Sequence, residues 1–211
     1  MPHVMANQIS LYYERHLPEN PCGAAPLILI RGLGTQMIQW PDGFVDYFLD
    51  QGLEVILFDN RDVGLSQKID AAGVPDIEAL MMAARSGVQF PVPYGIEDMA
   101  LDVIGLMDEL GIEKANIYGM SLGGMVAQHL AFSHPTRMAH VVCVMSSSGN
   151  PDLPPPDAGL LAPSNAEDEA ALIDDLTESM ARYMSPKYPT SEADRRAMAT
   201  KVIARMFYPQ G

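Results

Sequence analysis

Gly119-Met120-Ser121-Leu122-Gly123 is the stretch whose residue types and spacing best suit covalent chemistry. It follows a short apolar run, Ala115 to Tyr118, and leads into a helix-compatible run, Gly124 to Phe132. A strand, a G-x-S-x-G turn and a helix make a nucleophile elbow, in which flanking glycines relieve crowding and the serine hydroxyl is lifted clear of the backbone. The first turn of the following helix offers unpaired N–H groups and a positive dipole end, suited to a developing oxyanion. By composition the bare pattern occurs in roughly one chain of this length in fourteen, so its weight comes from its place between a strand and a helix.

The elements that must hold this turn alternate along the chain. His3–Ala6 and Ile9–His16 read as a hairpin about Asn7-Gln8. Leu27–Ile30 and Glu54–Phe58 read as buried strands, and Val141–Met145 as another. Helices are expected over Pro41–Gln51, Asp76–Arg85 and Ile96–Leu110, the last stopped by Gly111. Beyond a proline-rich segment, 150–163, two amphipathic helices are expected at about 166–184 and 191–207. Alternation of strands and helices predicts an α/β fold with a mainly parallel sheet, helices on both faces and an antiparallel N-terminal hairpin. Loops 31–34, 59–66, 119–123 and 146–149 then gather at the carboxyl ends of the strands, where sites form in such sheets.

The chain has 211 residues, 48% of them hydrophobic, with a net charge of −14. That acidity argues against nucleic acid or an anionic membrane as a partner. No signal peptide and no run of membrane-spanning length is read, which fits a cytoplasmic protein. Two cysteines, Cys22 and Cys143, suggest neither a disulfide framework nor a metal cluster. The glycines near residue 32 spell no dinucleotide fingerprint, so no cofactor is implied.

Four landmarks together resemble the α/β-hydrolase superfamily, in the branch of small carboxylesterases and anthracycline methylesterases. They are the elbow, Arg31-Gly32-Leu33-Gly34 in place of an H-G-x-G oxyanion loop, Asp59–Ser66 in place of D-x-R-G-x-G-x-S with Asp62 where Gly is usual, and His134-Pro135-Thr136-Arg137-Met138 in place of H-P-x-R-V. The resemblance implies an α/β-hydrolase core over 1–149 and a helical cap over 150–211. It implies Ser121 as nucleophile and the backbone N–H groups of Leu33 and Leu122 as oxyanion hole. Arg31 is expected to pair with a nearby acid, and Asp59 with Arg61 as an ion pair fixing the turn. An apolar acyl pocket beneath the cap is expected from Met81, Met82, Met180, Met184, Met198 and Met206.

In this family the triad acid and histidine follow later strands, in the order Ser, acid, His. His129, His134 and His140 are better explained structurally, as are His3 and His16, and Asp152 is a weak candidate for the acid. The last two strands therefore look missing, and the chain reads as one fragment of a longer enzyme. Its partners would be a small ester and either the missing C-terminal segment as a second chain or another copy of itself. The leading function is ester hydrolysis through a serine acyl-enzyme. Lactonase, amidase and C–C bond hydrolase share every motif, and a non-catalytic binding module is the reading from another class. Ser121 argues against dehalogenases and epoxide hydrolases, which use Asp at the elbow.

Overall fold

Successive side chains of a strand point to opposite faces, so a run such as Leu27–Ile30 must be covered on both sides. The computed structural model describes residues 2–41, 43–73, 76, 79, 82–83, 86, 88, 91–150, 152–153 and 168–206. Strands β1 (His3–Ala6), β2 (Ile9–His16), β3 (Leu27–Ile30), β4 (Val55–Phe58), β5 (Ala115–Met120) and β6 (Met138–Val144) form one sheet in the order β1-β2-β4-β3-β5-β6. The first two pairings, β1 with β2 and β2 with β4, are antiparallel, and β4-β3-β5-β6 run parallel. Asn7 and Gln8 join β1 to β2 with φ of 47° and 67°, the doubly positive turn that matches the twist of a two-residue hairpin.

Helices α1 (Phe44–Asp50), α2 (Ile96–Glu109) and α3 (Leu122–Ser133) supply the cover. Ile28, Ile30, Ile56 and Phe58 meet Val103, Leu106 and Met107 of α2 and Val126 and Leu130 of α3. Leu27, Leu29, Val55 and Leu57 meet Met37, Trp40 and the aromatic face of α1, Phe44 and Phe48. Adjacent residues of β3 and β4 thus feed two different cores. The helix expected over Asp76–Arg85 falls largely outside the described residues. Strand β6 is present but not buried, contrary to expectation, with Val142 46% exposed and Cys143 also open. Among the described strands β6 is bonded to β5 alone, which leaves its far edge uncovered.

The residues fall into two compact units, Met1–Ser148 and Gly149–Phe207. The second holds α4 (Glu169–Arg182) and α5 (Glu192–Arg205), each opened by a side-chain cap. Asp168 accepts from the Ala171 amide and Ser191 from that of Asp194, satisfying donors that a helix start leaves free. Thr177, Ala199 and Val202 are buried within this unit, and Arg196 pairs with Asp174 at 2.6 Å.

One buried ion pair ties the hairpin, the loop after β4 and α2 together. Arg61 donates through Nε to Asp102 Oδ2 at 2.7 Å and through Nη2 to Oδ1 at 2.6 Å. Asn7 Nδ2 donates to the same Oδ1 at 3.0 Å and to the Asp98 carbonyl at 3.1 Å. Gly105 admits the hairpin turn, since a Cβ there would lie 2.9 Å from the Asn7 nitrogen. The expected Asp59–Arg61 pairing is corrected by this geometry. Asp59 instead accepts the amides of Met37 at 2.8 Å and Leu65 at 2.9 Å, while Arg61 reaches across to α2. Burial works to lower the Arg61 pKa, but the hydrogen bonds and charge of Asp102 outweigh it and raise it. Removing one member of such a pair strands the other charge. Asp102→Ala is therefore expected to cost about 3–5 kcal/mol in urea denaturation, with much of it recovered in an Arg61→Met, Asp102→Leu double variant.

Candidate active site

The corner between β5 and α3 leaves no space for side chains other than the serine. A Cβ on Gly119 would lie 2.1 Å from the Gly123 carbonyl oxygen, and one on Gly123 would lie 2.3 Å from that of Ile30. The first turn of α3 therefore rests backbone to backbone on the ends of β5 and β3. Ser121 takes up the reversal with φ 54° and ψ −119°, a conformation that costs a non-glycine residue on the order of 1–3 kcal/mol. Its amide donates to the Val144 carbonyl at 2.9 Å, and its carbonyl accepts from Ser146 Oγ at 2.8 Å. The backbone is thus fixed by β6 and the loop beyond it, and the residue is exposed.

The loop after β3 lies against this serine. A Cβ on Gly32 would come within 3.2 Å of Ser121 Cβ and 3.6 Å of its Oγ. Thr35 folds the loop back by donating its hydroxyl to the Gly32 carbonyl at 2.9 Å, and Asn60 Nδ2 donates to the Arg31 carbonyl at 3.2 Å. Leu122 is the first residue of α3, so its N–H has no intrahelical acceptor. Among the described residues neither its amide nor that of Leu33 donates a hydrogen bond. Both residues line a cleft of about 210 Å³, completed by Asn60, Val63, Tyr94, Ile96 and Met99 among others. Free backbone donors beside an exposed serine at a helix N-terminus are suited to a carbonyl oxygen that gains negative charge.

Asp62, where the resembled turn has Gly, keeps a positive φ of 63°. Its Oδ1 accepts the Ile69 amide at 2.6 Å. Tyr94 also hydrogen-bonds Asp62, and burial together with that bond drives the phenol well above its ordinary range. The ring of Tyr94 lies 4.9 Å beneath the Arg61 guanidinium. The wall of the cleft is therefore anchored to the Arg61–Asp102 pair. The spacing of charges along the chain does not point to this link.

Arg31 does not meet the expected acid. Its guanidinium lies 4.6 Å from the centre of the Trp40 ring, and Nη1 is 3.8 Å from Met120 Sδ. No carboxylate among the described residues pairs with it, and desolvation pushes its pKa down to about 10. The loop after β3 turns the side chain onto the Trp40 face, whereas the carboxylates of Asp59, Asp62 and Asp102 are taken by backbone amides or by Arg61.

No histidine of the chain stands beside Ser121. His129 lies within α3, roughly 12 Å further along the axis at about 1.5 Å per residue, with its ring against Phe132. His134 follows the far end of the same helix. His140 faces Asn116 at 2.9 Å, at the start of β5 rather than its end. His3 contacts Ser10 and His16 contacts Glu14, both on the outer hairpin. That hairpin is separated from β5 by β4 and β3. Asp152 belongs to the second unit, where its amide donates to Asn150 Oδ1 at 3.0 Å. Met81 lies outside the described residues, Met82, Met184 and Met206 are exposed, and Met180 and Met198 are half-buried. Among the described residues no group of three or more His, Cys, Asp or Glu could hold a metal, and no helix is long and apolar enough to cross a membrane.

Comparison with known proteins agrees with this architecture. Residues 25–184 match the family described as alpha/beta hydrolase fold. Rhodomycin D methylesterase DnrP of Streptomyces peucetius is 27% identical over 178 residues, 84% of this chain and 53% of the relative. Rhodomycin D methylesterase DauP of Streptomyces sp. (strain C5) is 31% identical over 143 residues, 68% of this chain and 41% of the relative. The chain spans about half the length of the curated relatives it matches. The enol-lactonase of Burkholderia xenovorans LB400 superposes with a TM-score of 0.67 at 25% identity, over 99% of this chain and 69% of that structure. The sheet order, the elbow at Ser121 and the family match over residues 25–184 agree: the chain belongs to the alpha/beta hydrolase fold family.

Proposed function

We propose that residues 1–211 carry the nucleophile and the oxyanion donors of a serine hydrolase that cleaves carboxylic esters. The observation that carries this reading is the position of Ser121. It is exposed and held at φ 54°, with Gly32 of the loop after β3 close against it, and Leu33 and Leu122, whose amides donate no hydrogen bond among the described residues, both line the neighbouring cleft. In the proposed reaction a base takes the hydroxyl proton as Oγ attacks the ester carbonyl carbon. The carbonyl oxygen becomes an oxyanion held by the N–H groups of Leu33 and Leu122. Collapse expels the alcohol, which receives the proton, and leaves the acyl group on Oγ. Water, deprotonated by the same base, then releases the acid and restores the hydroxyl.

The base is proposed to come from outside these 211 residues, because each histidine within them occupies a place remote from Ser121. The carbon that Ser121 attacks is the same in a lactone as in an open ester. Similarity to an enol-lactonase supports lactone hydrolysis as the second reading. The helical unit Gly149–Phe207 is proposed to act as a cap, on its position after β6 in the chain.

Three outcomes are expected. A fluorophosphonate probe followed by peptide mapping should label Ser121 in the active protein, and Ser121→Ala should remove labelling and turnover; label at any other residue would defeat the assignment. Gly32→Ala should fold but slow labelling more than tenfold, since its methyl would crowd Ser121 at 3.2 Å. The 211-residue chain by itself should hydrolyse p-nitrophenyl acetate at no more than the roughly 10³–10⁴-fold over water that a site without its base retains. Ordinary enzyme rates from that chain would mean that one of its own histidines serves.

A further inference from the structure

Met145, the residue after β6, has a left-handed backbone at φ 49° although it is not glycine. Such a conformation is unfavourable for a residue with a Cβ and persists only where the surroundings over-determine it. The Met145 side chain is 65% exposed, so its burial is not what holds the turn. The turn instead directs the next residue back at the elbow, where Ser146 Oγ donates to the Ser121 carbonyl at 2.8 Å. This approach needs glycine at position 124, since a Cβ there would lie 2.5 Å from both Cβ and Oγ of Ser146. Further along α3, Gln128 Nε2 donates to the Ser147 carbonyl at 3.0 Å and to the Gly124 carbonyl at 3.1 Å. The loop after β6 is therefore bonded to the start of α3 on either side of Ser146.

The Ser121 carbonyl and the Leu122 N–H belong to one peptide unit. That unit is planar and trans, so the two groups point in opposite directions. Fixing the oxygen therefore fixes the line along which the N–H is presented. The same oxygen also accepts the amides of Gly124 at 2.9 Å and Met125 at 3.2 Å, but both belong to α3 and move with it. Ser146 comes from the other side, from the end of β6, and ties the peptide to the sheet. A donor on the carbonyl also polarises the amide and strengthens its N–H, because hydrogen bonds in a chain reinforce one another. Resting on the ester-hydrolase reading of Ser121, we infer that Ser146 is a positioning residue for the oxyanion hole: its hydroxyl aims and strengthens the Leu122 N–H through the Ser121 carbonyl. Ser146 touches no reacting atom itself. Its effect falls on the transition state, where the substrate oxygen is charged, more than on the ground state.

The test compares Ser146→Ala, Ser146→Thr and Ser146→Cys in the catalytically competent protein, with circular dichroism to show that each is folded. On p-nitrophenyl acetate Ser146→Ala should lower kcat about tenfold and leave KM within about twofold. That loss is smaller than the roughly 10²–10³ seen when an oxyanion donor is removed outright. Octylthiotrifluoropropanone, a ketone whose adduct with a serine hydroxyl carries an oxyanion, should bind more weakly by the same factor as kcat falls. Ser146→Thr keeps the hydroxyl and should recover most of the rate. Ser146→Cys keeps a side chain of similar size but donates weakly; it should resemble Ser146→Ala, and it stands in for that variant should it not fold. An unchanged kcat in folded Ser146→Ala or Ser146→Cys, a loss confined to KM, ketone binding that does not weaken, or a loss that Ser146→Thr does not recover would each overturn the inference. Failure of the ester-hydrolase reading looks different: Ser121 of the unsubstituted protein would not label with fluorophosphonate, and both readings would fall. Labelling at Ser121 together with full kcat in Ser146→Ala would overturn the role of Ser146 alone.

Discussion

Backbone packed on backbone at the end of β3 and β5 is the constraint on which the site depends. Gly123 sits so close to the Ile30 and Arg31 carbonyls that the start of α3 has one way to lie on the sheet. Given that placement, the residue between β5 and α3 must reverse the chain in a single step, and Ser121 does so in a strained conformation. The strain persists because both neighbouring elements are heavily anchored. Ile28, Ile30, Ile117, Val126 and Leu130 are all buried in the same core. A strained residue survives only where its surroundings over-determine it. The hydroxyl is then presented by the fold, not by a flexible loop, and the amide of Leu122 is presented with it.

The charged groups around this corner do different work although they are close in sequence. Asp59 and Asp62 are used as acceptors for backbone amides, which shapes the loop after β4. Arg61 and Asp102 neutralise one another in the interior and hold the hairpin to α2. Tyr94 couples that pair to the wall of the cleft. These arrangements satisfy buried groups locally, as buried polar atoms require. Arg31 breaks the pattern, since its Nε has no acceptor and its guanidinium rests on the Trp40 ring instead.

The strands and the elbow were legible because their signals are short-range. Four apolar residues bounded by turn formers define β3 and β4, and the serine turn needs five positions in a row. The hairpin was legible from Asn7-Gln8 alone. Partners of charges were not. Arg61 finds Asp102 forty-one positions away, through the crossover of α2 over the sheet, and adjacency along the chain pointed instead to Asp59. β4 ends at Phe58, and the turn beyond it carries Asp59 and Arg61 to different partners, but only the placement of Met37 and Leu65 shows which amides claim the carboxylate. Burial of β6 was misjudged for a related reason. Composition records that Val141, Val142 and Val144 suit a sheet, whereas exposure depends on which strand lies next to them.

The proposed reaction divides into two tasks that ask different things of the structure. In that proposal, holding a carbonyl carbon against Ser121 requires rigid donors and a shaped cleft, which the ends of β3 and β5 and the start of α3 would supply. Activating the hydroxyl requires a base near neutral pKa within hydrogen-bond reach, and the five histidines are spread over the outer hairpin, the body and far end of α3, and the start of β6. Preorganised donors act on the charge of the transition state whether or not a base is near, so their contribution survives its absence. On the proposed reading, local backbone contacts would set how a carbonyl is held, while the rate would depend on a base that those contacts do not position.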